Sequence, residues 1–377
     1  MIPTATIFSP IAERLRERIK REGPITFRDW MDTALYDEYE GYYCRRDRQR
    51  WGREGDYRTS PERSRLFAAT FARYFAGLHE ELKRPAEWTI VEVGAGDGEF
   101  AYGVLETLQR RFPEVFSATR YVIDEAGAGS ISRIRERLEP FSGRVRFESL
   151  DDTGSIETGI IFSNELLDAF PVHRVTILEG RLREFYVAVN ESEDFILSPG
   201  PPSTPGLDKF LKAFAVRLKE GQVVEVNLAI EKWLGLAAKK LFRGYIITVD
   251  YGAEAANLYG SPEHFEGTLR AFHRHQLVED ALSRPGEQDI TTSVDWTHVK
   301  RVGEQLGLAT IDFERQDRFL LRAGLLEELE MQLLHVRSDA ERLRLTTNAR
   351  EMILPNGMAS SFQVLVQKKA GSLRNVS

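Results

Sequence analysis

Residues Val91-Glu92-Val93-Gly94-Ala95-Gly96-Asp97-Gly98-Glu99-Phe100 limit the fold more than any other stretch of this 377-residue chain. A short apolar run, 88–93, ends at three glycines on alternate positions, and a helical pattern follows over about 100–111. A buried strand that turns straight into a helix belongs to a parallel βαβ unit. Glycine permits the tight turn and lets a ligand approach the backbone without a Cβ in the way. The start of the helix also presents free N–H groups. The same residues also fit a tight strand-to-helix turn that holds no ligand.

Charge separates the two cofactor classes that use such a loop. A dinucleotide calls for G-x-G-x-x-G, with its pyrophosphate against the helix start. Here the third glycine comes one position early, and Glu99 stands where the last Gly or Ala would be. A carboxylate there repels phosphate. S-adenosylmethionine has an ammonium, a sulfonium and a ribose but no phosphate, and Glu92 and Asp97 suit a cation. The expected cofactor is therefore S-adenosylmethionine, held by Glu92, Gly94, Ala95, Gly96 and Gly98. A second apolar run, 121–123, ends at Asp124 and Glu125. An acid at that strand end would take the ribose hydroxyls.

The strand–helix rhythm continues. Further strands are expected at 145–150, 159–163 and 245–249, and a closing one at 360–367 after a strand at 309–313 and a helical stretch at 319–351. Two helices, 11–22 and 27–35, precede the sheet, separated by Gly23-Pro24. A turn-rich loop, 52–61, leads to a helix at 65–79. The reading is an α/β fold with four regions. Residues 1–84 form an N-terminal helical extension with a lid loop, and 85–171 the first half of a Rossmann-like core. Residues 172–240 form an inserted element with antiparallel alternation and a Pro-rich turn at 198–205. Residues 241–377 form the second half of the core, with a polar insertion at 253–301.

The fourth strand opens into Asn164, Glu165 and Asp168. Ligands of open α/β sheets sit at the carboxyl ends of strands, so these three are the candidate catalytic residues. Methyl transfer is an in-line displacement, and carboxylates there would orient a guanidinium in fork geometry. A helix cap explains the same residues equally well.

Composition removes several function classes. A formal net charge of −7 argues against a nucleic-acid binder. Five arginines between 45 and 53 read as a solvated loop. Cys44 is the only cysteine, so neither an internal disulfide nor a cysteine-based zinc site can form. No apolar run reaches the length of a membrane-spanning helix. The first ten residues lack a signal-peptide pattern, and Glu13 and Glu17 are unlike a mitochondrial presequence, so the expected location is the cytoplasm.

Taken in order, these motifs resemble the MidA-type methyltransferase family, which includes a mitochondrial complex I assembly arginine methyltransferase. Gly41-Tyr42-Tyr43 and Gly55-Asp56-Tyr57-Arg58-Thr59-Ser60-Pro61-Glu62 are similar to its N-terminal signature. The glycine loop resembles its S-adenosylmethionine loop. Ser163-Asn164-Glu165-Leu166-Leu167-Asp168-Ala169-Phe170-Pro171-Val172-His173 resembles its fourth-strand motif. Asp250-Tyr251-Gly252, Gly267-Thr268-Leu269-Arg270-Ala271-Phe272, Asp289-Ile290-Thr291-Thr292-Ser293-Val294-Asp295-Trp296 and Asn356-Gly357-Met358 match later segments. Where the family shows Arg-Gly-His, this chain has His273-Arg274-His275.

The resemblance implies a seven-stranded class I methyltransferase sheet and an arginine acceptor on a protein partner, with symmetric dimethylation in the mitochondrial member. It adds Asp56, Thr59 and Ser60 as a lid over the cofactor. It also adds Tyr251, His273, His275, Asp289 and Asp295 as acceptor-side residues, with no metal required. A silent scaffold that kept the pocket, or a small-molecule methyltransferase of the same fold, remains an alternative, and so does a homodimer. No nucleic acid or membrane partner is expected.

Overall fold

The computed structural model describes residues 9–45, 65–213, 217–274, 276–354 and 361–371. Helix α1 (Pro10–Glu22) buries Ile11, Leu15 and Ile19, and Gly23 ends it with a φ of 86°. After the two-residue strand β1 (Ile25–Thr26), helix α2 (Phe27–Tyr36) starts where the Thr26 hydroxyl accepts from the Asp29 amide. Helix α3 (Arg65–Glu81) lies against the central sheet. The βαβ rhythm follows with β2 (Trp88–Val93), α4 (Glu99–Arg111), α5 (Pro113–Ala118), β3 (Thr119–Asp124), α6 (Ala128–Arg137), β4 (Val145–Phe147) and β5 (Ile156–Asn164).

The next segment holds β6 (His173–Leu178), β7 (Arg181–Val189), β8 (Phe195–Gly200), α7 (Pro205–Ala213), β9 (Val223–Val226) and α8 (Ala229–Lys240). Then come β10 (Leu241–Ala253), α9 (Ala255–Gly260), β11 (Arg270–His273), β12 (Gln276–Val278), β13 (Asp289–Thr291), β14 (Val294–Asp295) and α10 (Trp296–Gln305). The chain closes with β15 (Ala309–Arg315), α11 (Gln316–Arg322), α12 (Leu325–Leu333), α13 (Asp339–Ile353) and β16 (Phe362–Ala370).

The central sheet runs β15-β16-β10-β5-β2-β3-β4, with the short β14 beside β10. Strands β2, β3, β4, β5 and β10 pair in parallel, and β16 runs antiparallel between β10 and β15. These are the seven mostly parallel strands expected. From β2 the chain moves outward to β3 and β4, then returns to the other side of β2 for β5. That reversal leaves a crevice at the carboxyl ends of β2 and β5.

One face of the sheet is covered by α3 and α4. Phe100 stacks on Phe162 with centroids 4.4 Å apart, and Phe71 meets Phe162 at 5.2 Å and Phe319 at 5.3 Å. The other face carries α8 and α10, through Ile230, Leu234, Trp296 and Val299. Trp296 is wholly buried here, and its indole N–H donates to Gln363.

A third core joins segments far apart in sequence. Ile11, Leu15, Trp30 and Leu35 from α1 and α2 pack with Val172 and Val187 of the first insertion and with Ala271 and Ile290 of the second. Antiparallel strands β1, β7, β6, β9 and β8 form the small sheet that alternation at 172–240 suggests. Its last helix, α8, packs on the central sheet instead.

Two local expectations change. The stretch 319–351 is not one helix, because Gly324, with a φ of 100°, breaks it and a second break follows α12. The segment 198–205 is a turn only after Gly200, since β8 pairs with β7.

The phenylalanine stack makes a direct prediction. Phe162→Ala removes the β5 ring on which Phe100 of α4 stacks, and should cost about 3–5 kcal/mol in urea unfolding. A loss under about 1 kcal/mol would show that the stack contributes little.

Candidate active site

The carboxyl ends of β2, β3 and β5 converge on a cavity of about 280 Å³. The glycine loop makes its floor. Gly94, Gly96 and Gly98 have φ values of 75°, 62° and 78°, a region other residues rarely adopt. At Gly98, which starts α4, a Cβ would also meet the Ile134 side chain at 2.8 Å. The loop is therefore built for glycine on both conformational and packing grounds.

Glu125 braces the loop from the neighbouring strand. Its carboxylate accepts from the Gly96 amide at 3.0 Å and from the Gly127 amide at 3.0 Å. Asp124 also lines the cavity, but one of its oxygens accepts from the Leu150 amide at 2.8 Å, and burial raises its pKa. Asp97 is tied to Arg137 at 2.8 Å and accepts from the Glu99 amide. It secures the helix start.

Glu92 lies deepest. It is 4% exposed, and the Tyr121 hydroxyl donates to it at 2.6 Å. Burial pushes its pKa up to about 8, assisted by the nearby Asp97 and Glu125 charges and opposed by the tyrosine hydrogen bond.

The opposite wall comes from the turn after β5. The Asn164 carboxamide donates to Glu165 at 3.1 Å, while the Asn164 carbonyl oxygen is buried with no hydrogen-bond partner among the described residues. Glu165 has a φ of 51°, costly for a residue with a side chain, and both residues line the cavity. Asp168 does not line it. It is buried behind the wall, and burial beside Asp250 and Glu165 holds its carboxyl well above the ordinary range. Burial raises Asp250 as well, to about 7, but it accepts from four backbone amides, which favour its ionised form, so Asp168 is the member of the pair that holds a proton more readily.

The N-terminal extension closes one side with Tyr36 and Tyr43, both lining the cavity. The Tyr36 hydroxyl donates to the Ala169 carbonyl at 3.0 Å, and the Tyr43 hydroxyl donates to Asp289 at 2.6 Å. Cys44 is buried, with its Sγ 3.6 Å from the Tyr36 carbonyl.

The structure thus gathers Glu92, Gly94, Ala95, Gly96, Asp124, Glu125, Asn164 and Glu165 around one space. Asp168, Tyr251 and Asp289 form a buried group behind it, the Tyr251 hydroxyl lying beside Asp168 and Thr291. Two expected acceptor-side residues stand elsewhere. His273 donates to the Glu287 carbonyl at 2.8 Å, and Asp295 caps α10 while accepting from Tyr259. Asp56, Thr59, Ser60 and His275 lie outside the described residues.

Sequence reasoning missed Tyr36, and it noted Tyr43, Phe100, Phe170 and Asp250 only within motifs. Aromatic residues at such positions carry no signal that separates a cavity wall from a core.

The charge of the lining tests the cofactor. Glu92, Asp97, Asp124, Glu125 and Glu165 supply five carboxyl groups, and none of the described lining residues is Lys, Arg or His. Such a space favours a cationic ligand and opposes a pyrophosphate. It fits S-adenosylmethionine, with the glycine loop open to close approach.

A seven-stranded sheet of this order, with a cation-seeking cavity where the strand order reverses, is the arrangement of class I methyltransferases. The comparisons agree. Residues 70–314 match the family described as "Putative S-adenosyl-L-methionine-dependent methyltransferase". This span covers more than half of the chain, and the chain belongs to that family and is an S-adenosylmethionine-dependent methyltransferase.

A superfamily protein from Burkholderia thailandensis, solved with S-adenosyl-homocysteine bound, is 28% identical with a TM-score of 0.83. The match covers 95% of this chain and 91% of that one. The protein arginine methyltransferase NDUFAF7 homolog of Drosophila melanogaster is 26% identical, over 79% of this chain and 70% of its own. Human mitochondrial protein arginine methyltransferase NDUFAF7 is 24% identical, over 96% of this chain and 83% of its own.

The two arginine methyltransferase relatives overturn the cytoplasmic expectation, because they are mitochondrial proteins. The acidic residues on which it rested, Glu13 and Glu17, belong to α1, a folded helix packed into the third core. They report on that helix and not on targeting. No helix among the described residues is long and apolar enough to cross a membrane.

Glu92 gives a pH prediction. The folded chain keeps its proton up to about 8, whereas an unfolded glutamate releases it near 4.5. The folded state therefore binds more protons across that window, and Glu92 makes stability fall as pH rises through it. In calorimetry without cofactor, Glu92→Gln should raise Tm most near pH 8, with the gain vanishing toward pH 4.5. A gain independent of pH would refute this protonation state.

Proposed function

We propose that this methyltransferase modifies an arginine side chain of a protein partner. The observation that carries the reading is the acidic wall beside the cofactor space. Glu165 and Asn164 face the cavity, with the acids Asp168 and Asp289 behind them. A guanidinium stays protonated at any physiological pH, so it enters such a wall as a cation and leaves water for carboxylates. The relatives named as protein arginine methyltransferases support the same acceptor.

Bound on the glycine loop, S-adenosylmethionine supplies an electrophilic methyl group. Gly94, Ala95, Gly96 and Gly98 would hold it at the loop, with Glu125 as the acid for its ribose and Glu92 as a further acid of the same cavity. Glu165 orients the guanidinium and accepts the proton it loses when nitrogen attacks. The Asn164 oxygen takes an N–H of the same group without adding charge. Tyr36 and Tyr43 flank the guanidinium with flat rings, which suits a delocalised planar cation. Behind the wall Asp289 fixes the Tyr43 ring, and Asp168 holds its proton beside Asp250. The N-terminal extension and the two insertions, which share one core, form the acceptor side.

The experiment is transfer of labelled methyl groups to an arginine-rich peptide, with its lysine counterpart as control. Wild type should label the arginine peptide only. Glu165→Gln should lower kcat by roughly a hundredfold while S-adenosyl-homocysteine affinity holds within about threefold. Labelling of the lysine peptide alone, or full activity in Glu165→Gln, would defeat the assignment.

A further inference from the structure

The turn that presents Asn164 and Glu165 is not held by its own sequence. The Glu165 amide donates to the Val249 carbonyl at 2.9 Å, a contact to the neighbouring strand. The next three amides all point at one atom. Oδ2 of Asp250 accepts from Leu166 at 3.2 Å, from Leu167 at 2.9 Å and from Asp168 at 3.3 Å. Its second oxygen accepts from the Tyr251 amide at 2.8 Å. Successive N–H groups converging on one anion form a concave nest.

Asp250 is wholly buried at the carboxyl end of β10 and does not line the cavity. Remove its carboxylate and three amides of the turn lose their acceptor, in a place where an unpaired amide is costly. The left-handed conformation at Glu165 has then less to hold it, because strained backbone persists only where its surroundings over-determine it. The cofactor loop does not depend on this contact. It is braced by Glu125 and by the Gly94 amide donating to the Asp124 carbonyl at 2.8 Å.

We propose that Asp250 is the positioning residue of the transfer site: its carboxylate gathers the 166–168 amides and thereby aims Asn164 and Glu165 at the cofactor cavity. The proposal rests on the reading that these two side chains meet the acceptor. It separates two functions within one site, because cofactor binding is anchored on β2 and β3 and acceptor orientation on β10.

The test compares Asp250→Ala and Asp250→Asn with wild type. Asparagine keeps an acceptor oxygen for the nest, whereas alanine keeps none. In Asp250→Ala, hydrogen exchange at Leu166, Leu167 and Asp168 should accelerate at least about tenfold. The Kd for S-adenosyl-homocysteine should stay within about threefold. On the arginine peptide, kcat should fall about a hundredfold with KM for S-adenosylmethionine nearly unchanged. Asp250→Asn should recover part of both losses, and it carries the test alone if the alanine variant does not fold. Exchange at wild-type rates, or loss of S-adenosyl-homocysteine affinity in step with exchange, would overturn the proposal. A wild type that labels no arginine would defeat the acceptor reading, while exchange and affinity would still judge Asp250.

Discussion

The glycine loop, the acids beside it and the Asn164-Glu165 turn all hang from one edge, the carboxyl ends of the parallel strands β2, β3, β5 and β10. Parallel pairing puts Val93 opposite both Asp124 and Ser163, and Val249 opposite Asn164. The strands therefore release their chains at nearly the same level. Each loop is then stitched to its neighbour by its first amide, Gly94 to Asp124 and Glu165 to Val249. A slip of one residue in any pair would turn the side chains at that strand end to the opposite face of the sheet. Site geometry is thus a consequence of sheet register before it is a property of any loop.

The same edge concentrates buried acid. Glu92, Asp168 and Asp250 are all nearly or fully enclosed, and such groups weaken a fold unless they are neutralised or well bonded. The chain uses both remedies. Glu92 takes a tyrosine hydroxyl and holds its proton to about pH 8, while Asp250 takes four amides. The cavity beside them is lined by five carboxyl groups and, among the described residues, by no cation. A cationic ligand gains there most strongly, since enclosure reduces screening by water and salt.

The acceptor side is assembled differently. Helices α1 and α2, the first insertion and the second insertion each expose an apolar face too small to stand alone, and together they close one core. That core brings Tyr43 from the N-terminal extension to Asp289, 246 positions away. Because three segments share it, a change in any of them reaches the cavity wall through Tyr36 and Tyr43.

How much was legible follows from range. The glycine loop, the acid at the end of β3 and the Asn164-Glu165 turn are local patterns, and each one appears in the cavity. Their chemistry depends on residues within a few positions of one another, so spacing alone exposes them. Asp295 and His273 looked similar in kind but cap a helix and bond a carbonyl, because a polar side chain in a loop has many local uses. Asp250 gave the opposite error. It read as a strand ending, and only the pairing of β5 with β10 puts it under a turn more than eighty positions earlier.

The sequence by itself therefore determined the βαβ order, the glycine turn and the charge that selects the cofactor, all set by short-range sterics and composition. The tertiary structure decided which acids meet, which carry a proton and which aromatics wall the cavity. Those outcomes depend on distances between remote segments, and packing alone sets such distances.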